Sequence, residues 1–422
     1  MAIVGGGLGG LMCAQALAKA NPQLKVIVYE RSSAPSAESR PQGWHLGIQS
    51  MGINALRTVD IPRMDDLLCA SVSSAFTICD HDANVLLRIG GPLKAEVRED
   101  REARFTGKMS ACIVNRQDLH ELLSQGVHIE YEKRFTKYEE EDDKVKLFFE
   151  DGSSAEADFL VGADGARSRM RGQLLPQITY GPVGVVNMGV VIENVPPLDD
   201  LPMLGPMLAY SMVRLLSNSG YSMLLGLAKT LEGKHQLLYV LTGPKDMFPD
   251  ELQPDKATTA PVNDSSMTER LIAWAIETVS KHFHPEVAKI TALVKSENLI
   301  FGGLLPSQSS SGLEKGNPFM QVKHKRVTLL GDAAHAMTTH RGMGANTSLA
   351  DAVDLSQCLA SPNWAQELPK YEAIMYKRGW KNVKGSLDNT LRMHKKNAES
   401  FSSRLSMRAA GVIMTLLGYS WS

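Results

Sequence analysis

Cysteine is scarce and unpatterned. The five residues Cys13, Cys69, Cys79, Cys112 and Cys358 are scattered over 422 positions, odd in number, and form no C-x-x-C pair. That argues against a disulfide framework or a zinc site and favours a reducing compartment. Excess charge of one sign is also missing: the formal net charge is -1. No basic field is present to attract nucleic acid or an anionic membrane surface. Long hydrophobic runs are absent as well. The apolar run Ala409 to Tyr419 falls short of the roughly 20 residues of a membrane-spanning helix. It reads as a helix docked on the body, with weak peripheral membrane contact as the alternative. No basic leader precedes the first apolar run, Ala2-Ile3-Val4, so a cytoplasmic protein is expected.

What is present is a soluble-type balance, 43% hydrophobic and 22% charged. The length exceeds one simple domain by the usual prior. The opening reads strand, glycine turn, helix, strand. Ala2–Val4 leads into Gly5-Gly6-Gly7-Leu8-Gly9-Gly10. Leu11 to Ala20 carries apolar residues at helical spacing, and Asn21-Pro22 ends it. Lys25 to Tyr29 is a short β-branched strand, closed by Glu30. Two more strand-and-glycine turns follow far along the chain, Leu160-Val161-Gly162-Ala163-Asp164-Gly165 and Leu329-Leu330-Gly331-Asp332.

Between them the pattern changes. Strand-like runs recur at Val183–Glu193, Met207–Leu216, Tyr221–Leu227 and Leu237–Thr242, with a hairpin expected over Phe76–Ile89. Lys245 to Asp264 reads as a surface loop, Thr268 to Phe283 as an amphipathic helix, and Ala345 to Leu359 and the tail from Leu368 as helical. The acid run Glu139 to Asp143 reads as a solvated hairpin tip, not a metal site. One domain is thus assembled from distant pieces, with another inserted into it. The expected fold class is α/β: a Rossmann-like domain of the glutathione-reductase type, an inserted, mostly antiparallel β-sheet domain, and C-terminal helices. The expected boundaries are 1–75, 101–175 and 300–360 for the first, 76–100 and 176–299 for the second, and 361–422 for the helical tail.

The glycines of Gly5-x-Gly7-x-x-Gly10 have separate tasks: a tight turn, close approach of a pyrophosphate, and close helix packing. The helix N-terminus then faces the phosphates with free N–H groups and the positive end of its dipole. Glu30 ends the next strand about 20 residues on, where a carboxylate can take ribose hydroxyls. This unit points to a dinucleotide without choosing between nicotinamide and flavin.

The two later turns choose. With Asn115-Arg116-Gln117-Asp118-Leu119 and Gly342-Met343-Gly344-Ala345-Asn346, the sequence resembles the FAD-dependent aromatic-hydroxylase family, the group A flavoprotein monooxygenases of the p-hydroxybenzoate hydroxylase type. The resemblance covers nearly the whole chain. It is strongest at residues 2–57, 113–123, 159–171 and 327–359 and weak in the β-rich middle.

The resemblance implies FAD as cofactor, and NADPH or NADH as a transient co-substrate. It implies that Gly5, Gly7, Leu8 and Gly10 hold the FAD pyrophosphate and that Glu30, with Arg31 beside it, holds the adenosine ribose. Arg116 matches an arginine on the phosphate side, Asp164 the acid between FAD and the nicotinamide route, and Gly331-Asp332 the ribityl or pyrophosphate contact. Gly342, Gly344, Ala345 and Asn346 would lie at a helix N-terminus beside the flavin ring, where the dipole stabilises reduced flavin. Arg40 and Gly43 match a loop close to the ring. The implied reaction inserts one oxygen atom, by hydroxylation or epoxidation, through a C4a-hydroperoxyflavin.

Two positions depart from the family pattern. Thr339 stands four residues after His335, where the family has proline, and Ala345 stands where glycine is common. The missing proline motivates an alternative, a flavin fold reused for cyclisation or isomerisation; a non-catalytic flavin-binding protein is a third reading. Halogenases of this fold carry W-x-W-x-I-P, which none of the five tryptophans forms. Candidate catalytic groups are Arg40 near the flavin and Tyr210, Arg214 and Tyr239 on the middle strands, able to bind or deprotonate a phenolic or enolic substrate or to serve only structure. His45 is a candidate pocket residue, and His335 reads as structural. The apolar middle segment favours a hydrophobic, polycyclic or prenylated small molecule, and the chain is expected as a monomer or homodimer.

Overall fold

The computed structural model describes residues 1–35, 45–70, 75–90, 111–249, 265–308, 316–322 and 326–396. Five short parallel strands form the first sheet. Their order is Val327–Leu329, Leu160–Gly162, Ala2–Val4, Ile27–Tyr29, Ile129–Glu130. A parallel sheet covered on both faces needs apolar residues at every position. Ala2, Ile3 and Val4 are at most 3% exposed, and Leu160 and Val161 are fully buried. The helix Leu8–Ala20 crosses between the first two strands and packs against the long helix Met343–Ala360.

This strand order explains why distant turns meet. Val4, Gly162 and Leu329 end three adjacent parallel strands, so the turns that follow lie side by side at the carboxyl edge. In open α/β sheets that edge is where ligands bind.

The second sheet has seven strands in the order Leu299–Gln308, Tyr180–Ile192, His235–Pro244, Ser222–Lys229, Ser211–Leu216, Ala75–Cys79, Val85–Gly90. All neighbours are antiparallel except Ser211–Leu216 beside Ala75–Cys79. Side chains alternate between its faces. Val213, Leu215, Leu225, Tyr239 and Leu241 face the helices Ser265–His282 and Pro285–Thr291, packing with Leu271, Val279, Val287 and Ile290. The opposite face carries Met212, Leu224, Leu238 and Val240 and packs on Ile113 of the strand Ala111–Asn115, which leads into the helix Arg116–Ser124 beside the first helix. The second sheet therefore turns one face to its own helices and the other toward the glycine-turn unit.

The structure differs from three expectations. Met207–Leu216 is not one strand: Gly205–Leu208 is a short helix with Pro206 in its first turn, and the strand begins at Ser211. Residues 299–308 lie in the second sheet, paired with Tyr180–Ile192, although residues from 300 onward were expected with the first. Lys245–Met247, inside the expected loop, forms a 3-10 turn. The acid run does sit at a hairpin tip, between Phe135–Glu140 and Val145–Phe149. Among the described residues the expected helical tail forms one helix, Trp364–Met393, with Pro369 tolerated near its start. The run Ala409 to Tyr419 lies outside the described residues. Among the described residues, no helix is long and apolar enough to cross a membrane.

Candidate functional site

The first turn is built as the glycine spacing requires. Gly5 has φ +112°, and a Cβ there would stand 2.3 Å from the Ala163 carbonyl oxygen of the second turn. A Cβ on Gly10 would stand 2.1 Å from the Gly5 carbonyl oxygen, so the helix can start only without a side chain there. A Cβ on Gly7, by contrast, would meet nothing within 4 Å. The backbone is thus bare and open over Gly7, at the N-terminus of the helix Leu8–Ala20, which has no side-chain cap. That is the cradle a phosphate group needs. Leu8 is buried beneath it.

Glu30 closes one side. Its carboxylate accepts from the Gly6 amide at 2.7 Å and the Ser32 amide at 2.9 Å, which leaves further lone pairs for hydroxyl donors. Arg31 is exposed. Arg116 opens the helix Arg116–Ser124, which Asn115 caps by accepting from the Gln117 and Asp118 amides. Burial lowers the Arg116 pKa, against the opposing charges of Asp332 and Glu30. One arginine and two acids from three segments therefore gather in one place.

Asp332 opens the third turn. Gly331 before it has φ +59°, and a Cβ there would stand 2.6 Å from the Ser348 hydroxyl. Asp332 is exposed to solvent, yet desolvation by its surroundings raises its carboxyl above the usual range, against His335, Arg171 and Arg116. An acid both accessible and hemmed in by protein lines a cleft. A Cβ on Gly344 would stand 3.6 Å from the Asp332 carboxylate, so that cleft also borders the N-terminus of the helix Met343–Ala360. Gly342 before that helix is left-handed at φ +62°, and no side chain caps the helix. Ala345 is partly exposed in its first turn, while Asn346 is fully buried. The Asn346 amide accepts from Gln49 N at 2.7 Å and donates to the Gly47 and Gly342 carbonyls at 2.8 Å each. Its side chain braces the helix start against the strand His45–Gln49.

Asp164 caps the helix Arg169–Leu174. It accepts from the Ser168 hydroxyl at 2.5 Å and from the Arg169 and Met170 amides at 2.8 and 3.2 Å. Burial raises its pKa, against those hydrogen bonds.

Three features escaped the sequence reading. Arg171, only 5% exposed, donates to the Ala166 carbonyl at 2.6 Å and the Ala333 carbonyl at 3.0 Å, locking the second turn to the third. The only signal was the alternation Arg167, Arg169, Arg171, whose last member falls on a buried position. His120 hydrogen-bonds the Gly6 carbonyl at 2.8 Å. Asp351 is fully buried and takes His335 Nε2 at 2.5 Å and Arg378 at 2.7 Å, while also accepting from the Gly331 amide at 3.1 Å. Its place on the buried stripe of a helix, four residues from Thr347 and Leu355, was the available signal. Burial opposes the His335 charge, but Asp351 and Asp332 outweigh it and raise the pKa. His335 is thus held in a buried hydrogen-bonded network.

The middle-sheet candidates separate. Arg214 lies on the face turned toward the glycine-turn unit, paired across strands with Leu224. It is 4% exposed, donates to Ser222 Oγ at 3.2 Å, and its Nε has no partner. Burial lowers its pKa to about 10. Tyr239 points the other way. It is 0% exposed in the helix-facing core, with its hydroxyl accepting from Thr291 at 3.1 Å. Strand alternation thus removes Tyr239 from the face that carries Arg214, which corrects its expected catalytic place. Tyr210 precedes the Arg214 strand, half-buried under the Arg88 guanidinium, 5.8 Å from the ring centroid. His45 is 3% exposed and hydrogen-bonds Gln236 Oε1 at 3.0 Å. Arg40 and Gly43 lie outside the described residues. A surface hollow lined by Gln23, Leu24, Asp158, Arg326 and Trp364 lies at the amino ends of the parallel strands, away from all of these groups.

An open backbone cradle, an acid beside it and a second helix N-terminus around one cleft fit a flavin dinucleotide. The family described as FAD binding domain matches residues 1–386. The chain belongs to that family, and its cofactor is FAD. Its relatives define the class as FAD-dependent monooxygenases of the group A hydroxylase kind. The chain is 29% identical to the dual O-methyltransferase/FAD-dependent monooxygenase elcB of Phaeosphaeria nodorum, over 98% of this chain and 44% of that protein. It thus spans less than half of that two-function relative. It is 28% identical to the 6-hydroxynicotinate 3-monooxygenase of Bordetella bronchiseptica, over 85% of this chain and 82% of the other. The fold matches that of Klebsiella pneumoniae HpxO complexed with FAD and uric acid, at TM-score 0.75 and 21% identity, covering 99% and 95% of the two chains.

Proposed function

We propose that this chain is an NAD(P)H-consuming monooxygenase that inserts one oxygen atom into an aromatic or polycyclic hydrophobic small molecule. The observation that carries the reading is the sheet face opposite the FAD cleft. It is lined by Met212, Leu224 and Leu238, yet it buries one arginine whose Nε is unpartnered. An apolar wall with a single convergent cation suits an aromatic ring bearing an acidic oxygen.

In this reading Gly5, Gly7, Leu8 and Gly10 present backbone to the pyrophosphate, Glu30 and Arg31 border the adenosine ribose, and Arg116 balances the phosphate charge. Asp164 shapes the second turn. Gly331 and Asp332 face the ribityl side, and Gly342, Gly344 and Ala345 offer the helix dipole to the ring, with Asn346 bracing that helix. Bound FAD supplies the redox chemistry and the activation of oxygen; the protein orients, excludes water and manages charge. Arg214 would hold the substrate oxygen and favour its ionised form. Tyr210 borders that wall and, through Arg88, shapes its edge.

The test is the visible spectrum of purified protein followed by anaerobic NADPH titration. Yellow protein whose flavin bleaches faster with a phenolic candidate, and which then consumes O2 with oxygenated product, supports the reading. Bleaching without oxygenated product favours a non-oxygenating reaction, the alternative that Thr339 in place of proline raises. Flavin that NADPH never reduces overturns the reading.

A further inference from the structure

The outer face of the helix Trp364–Met393 carries a pattern that none of the roles above uses. Exposed residues recur along it at alternating steps of four and three, from Lys370 through Ile374, Lys377, Lys381, Lys384 and Asp388 to Leu391. That spacing is one face of a helix; Tyr371, Met375, Val383 and Met393 lie on the buried side. Arg392 borders the stripe, and Lys395 and Lys396 follow its end, all three exposed. From 370 to 396 the exposed residues thus include six lysines and one arginine against a single acid, Asp388. None of the seven cations pairs with a described carboxylate, whereas the helix's other cation, Arg378, turns inward to Asp351 and Asp354. From Lys370 to Arg392 the stripe runs about 33 Å. The net charge of -1 hides it: the expected lack of a basic field holds for the whole chain and fails on this face.

Large apolar side chains interrupt the cations. Of the four exposed among the described residues, Ile374 (55%) and Leu391 (46%) lie on this stripe, and Met320 (73%) lies on the turn Pro318–Gln321 packed against the helix. Lysines alone make a solvated face. Apolar groups set among them make one that suits an interface with an anionic outer layer and hydrocarbon beneath. The kind of cation separates this partner from a protein. Protein interfaces enrich arginine and aromatic rings and deplete lysine; here lysine dominates and no aromatic ring is exposed. The compact ammonium of lysine serves a diffuse negative field better than one planar, bidentate ligand. A nucleic-acid backbone would use the lysines but offer Ile374 and Leu391 no hydrocarbon to enter.

We propose that this face of the helix Trp364–Met393 is a peripheral docking surface for an anionic phospholipid membrane. The helix lies along the membrane plane. Its lysines meet the headgroup charges, with their apolar stems laid against the surface, while Ile374 and Leu391 enter the boundary between headgroups and acyl chains. Asp388, in the middle of the stripe, is the one exposed group that opposes the contact. Docking involves neither FAD nor substrate, so it does not depend on the monooxygenase reading.

The experiment is cosedimentation of the FAD-loaded full chain with phosphatidylcholine vesicles and with mixed phosphatidylcholine–phosphatidylserine vesicles, at about 0.1 M salt. Wild type should sediment with the mixed vesicles and not with phosphatidylcholine alone, and should be released as salt rises toward about 1 M. A lysine near such a surface contributes about fivefold in partitioning, so joint Lys377→Gln, Lys381→Gln and Lys384→Gln should weaken binding about a hundredfold. Ile374→Ser with Leu391→Ser should weaken it about tenfold. Asp388→Asn removes the opposing charge and should strengthen binding about fivefold, a gain that misfolding does not mimic. Joint Lys137→Gln, Lys234→Gln and Lys289→Gln, at exposed lysines of other elements, should bind like wild type. All these positions are exposed, so flavin content and melting temperature should be retained. No binding to mixed vesicles, equal binding to both vesicle types, or equal losses in the two triple variants would overturn the proposal. A wild-type dimer in sedimentation velocity that the Lys377, Lys381 and Lys384 changes dissociate, with vesicles ignored, would overturn it and give the face to a second copy. Duplex DNA bound as tightly as the mixed vesicles, with no effect of the Ile374 and Leu391 changes, would overturn it in favour of nucleic acid.

Discussion

His45 gives this fold a built-in sensitivity to acid. It opens the strand His45–Gln49, is 3% exposed, and its Nε2 faces Gln236 Oε1, which also accepts from Asn115 Nδ2. Nε2 therefore carries the hydrogen, and the lone pair sits at Nδ1, which is buried without a partner. Protonation would place an N–H and a full charge where nothing accepts either. Burial accordingly pushes the His45 pKa down to about 4, against the Gln236 hydrogen bond. In the unfolded chain the same imidazole titrates near about 6.5. Between these values the unfolded state binds the extra proton and the folded state does not, so stability falls as pH falls. The contribution is fully present above about pH 6.5 and is lost progressively toward pH 4. At about pH 5 the loss is roughly 2 kcal/mol, and below pH 4 it approaches roughly 3 kcal/mol. His45→Gln removes the titration but keeps an amide able to bond Gln236. Urea unfolding at about pH 8 and about pH 5 should show wild type losing roughly 2 kcal/mol more than the variant between the two. Equal losses would refute the argument and mean that water or a neighbour accepts the Nδ1 proton.

Gly10→Ala should purify with little flavin, its affinity reduced about tenfold or more, because a Cβ there collides with the rigid Gly5 carbonyl; flavin content and equilibrium titration measure it. Asp351→Asn breaks a buried pair on two cations, His335 and Arg378, and should cost about 3–5 kcal/mol in unfolding experiments. Tyr239→Phe should cost about 1 kcal/mol of stability through the lost Thr291 bond and leave the pH profile of turnover unmoved; a shifted profile would restore Tyr239 to the catalytic face.

The parallel sheet and its cleft were legible because their signals are local. A glycine turn between a strand and a helix states its conformation in a few residues, and three such turns can be adjacent only if their strands are neighbours, as Val4, Gly162 and Leu329 prove to be. Glu30 and Asp332 follow from position alone, each at the end of such a strand. The second sheet was legible as strands but not as faces. Apolar residues occupy both sides of Ser211–Leu216, all six positions buried, so no alternation marks which side meets helices and which meets the cleft. That is why Tyr239 and Arg214 looked equivalent from sequence. Strand Leu299–Gln308 was misassigned for a related reason: its partner, Tyr180–Ile192, lies over a hundred residues away, and only pairing assigns it.

Charged residues in the core were hardest to foresee, because what fixes them is the partner and not the neighbour in sequence. Arg171 is held by carbonyls of two different turns, Asp351 by cations 16 residues before it and 27 after it. Each cost of burial is offset by a bond that only the folded chain supplies. Arg214 is the exception. One of its donors is matched by Ser222, another is not, and no described carboxylate lowers the cost of its charge. A fold that had no use for that cation would lose little by placing leucine there, as it does on the adjoining strand at Leu224. The uncompensated charge therefore argues that an anion arrives from outside the chain. Burial, and after it the Arg214 charge, hold the His340 and His394 imidazoles below their usual range.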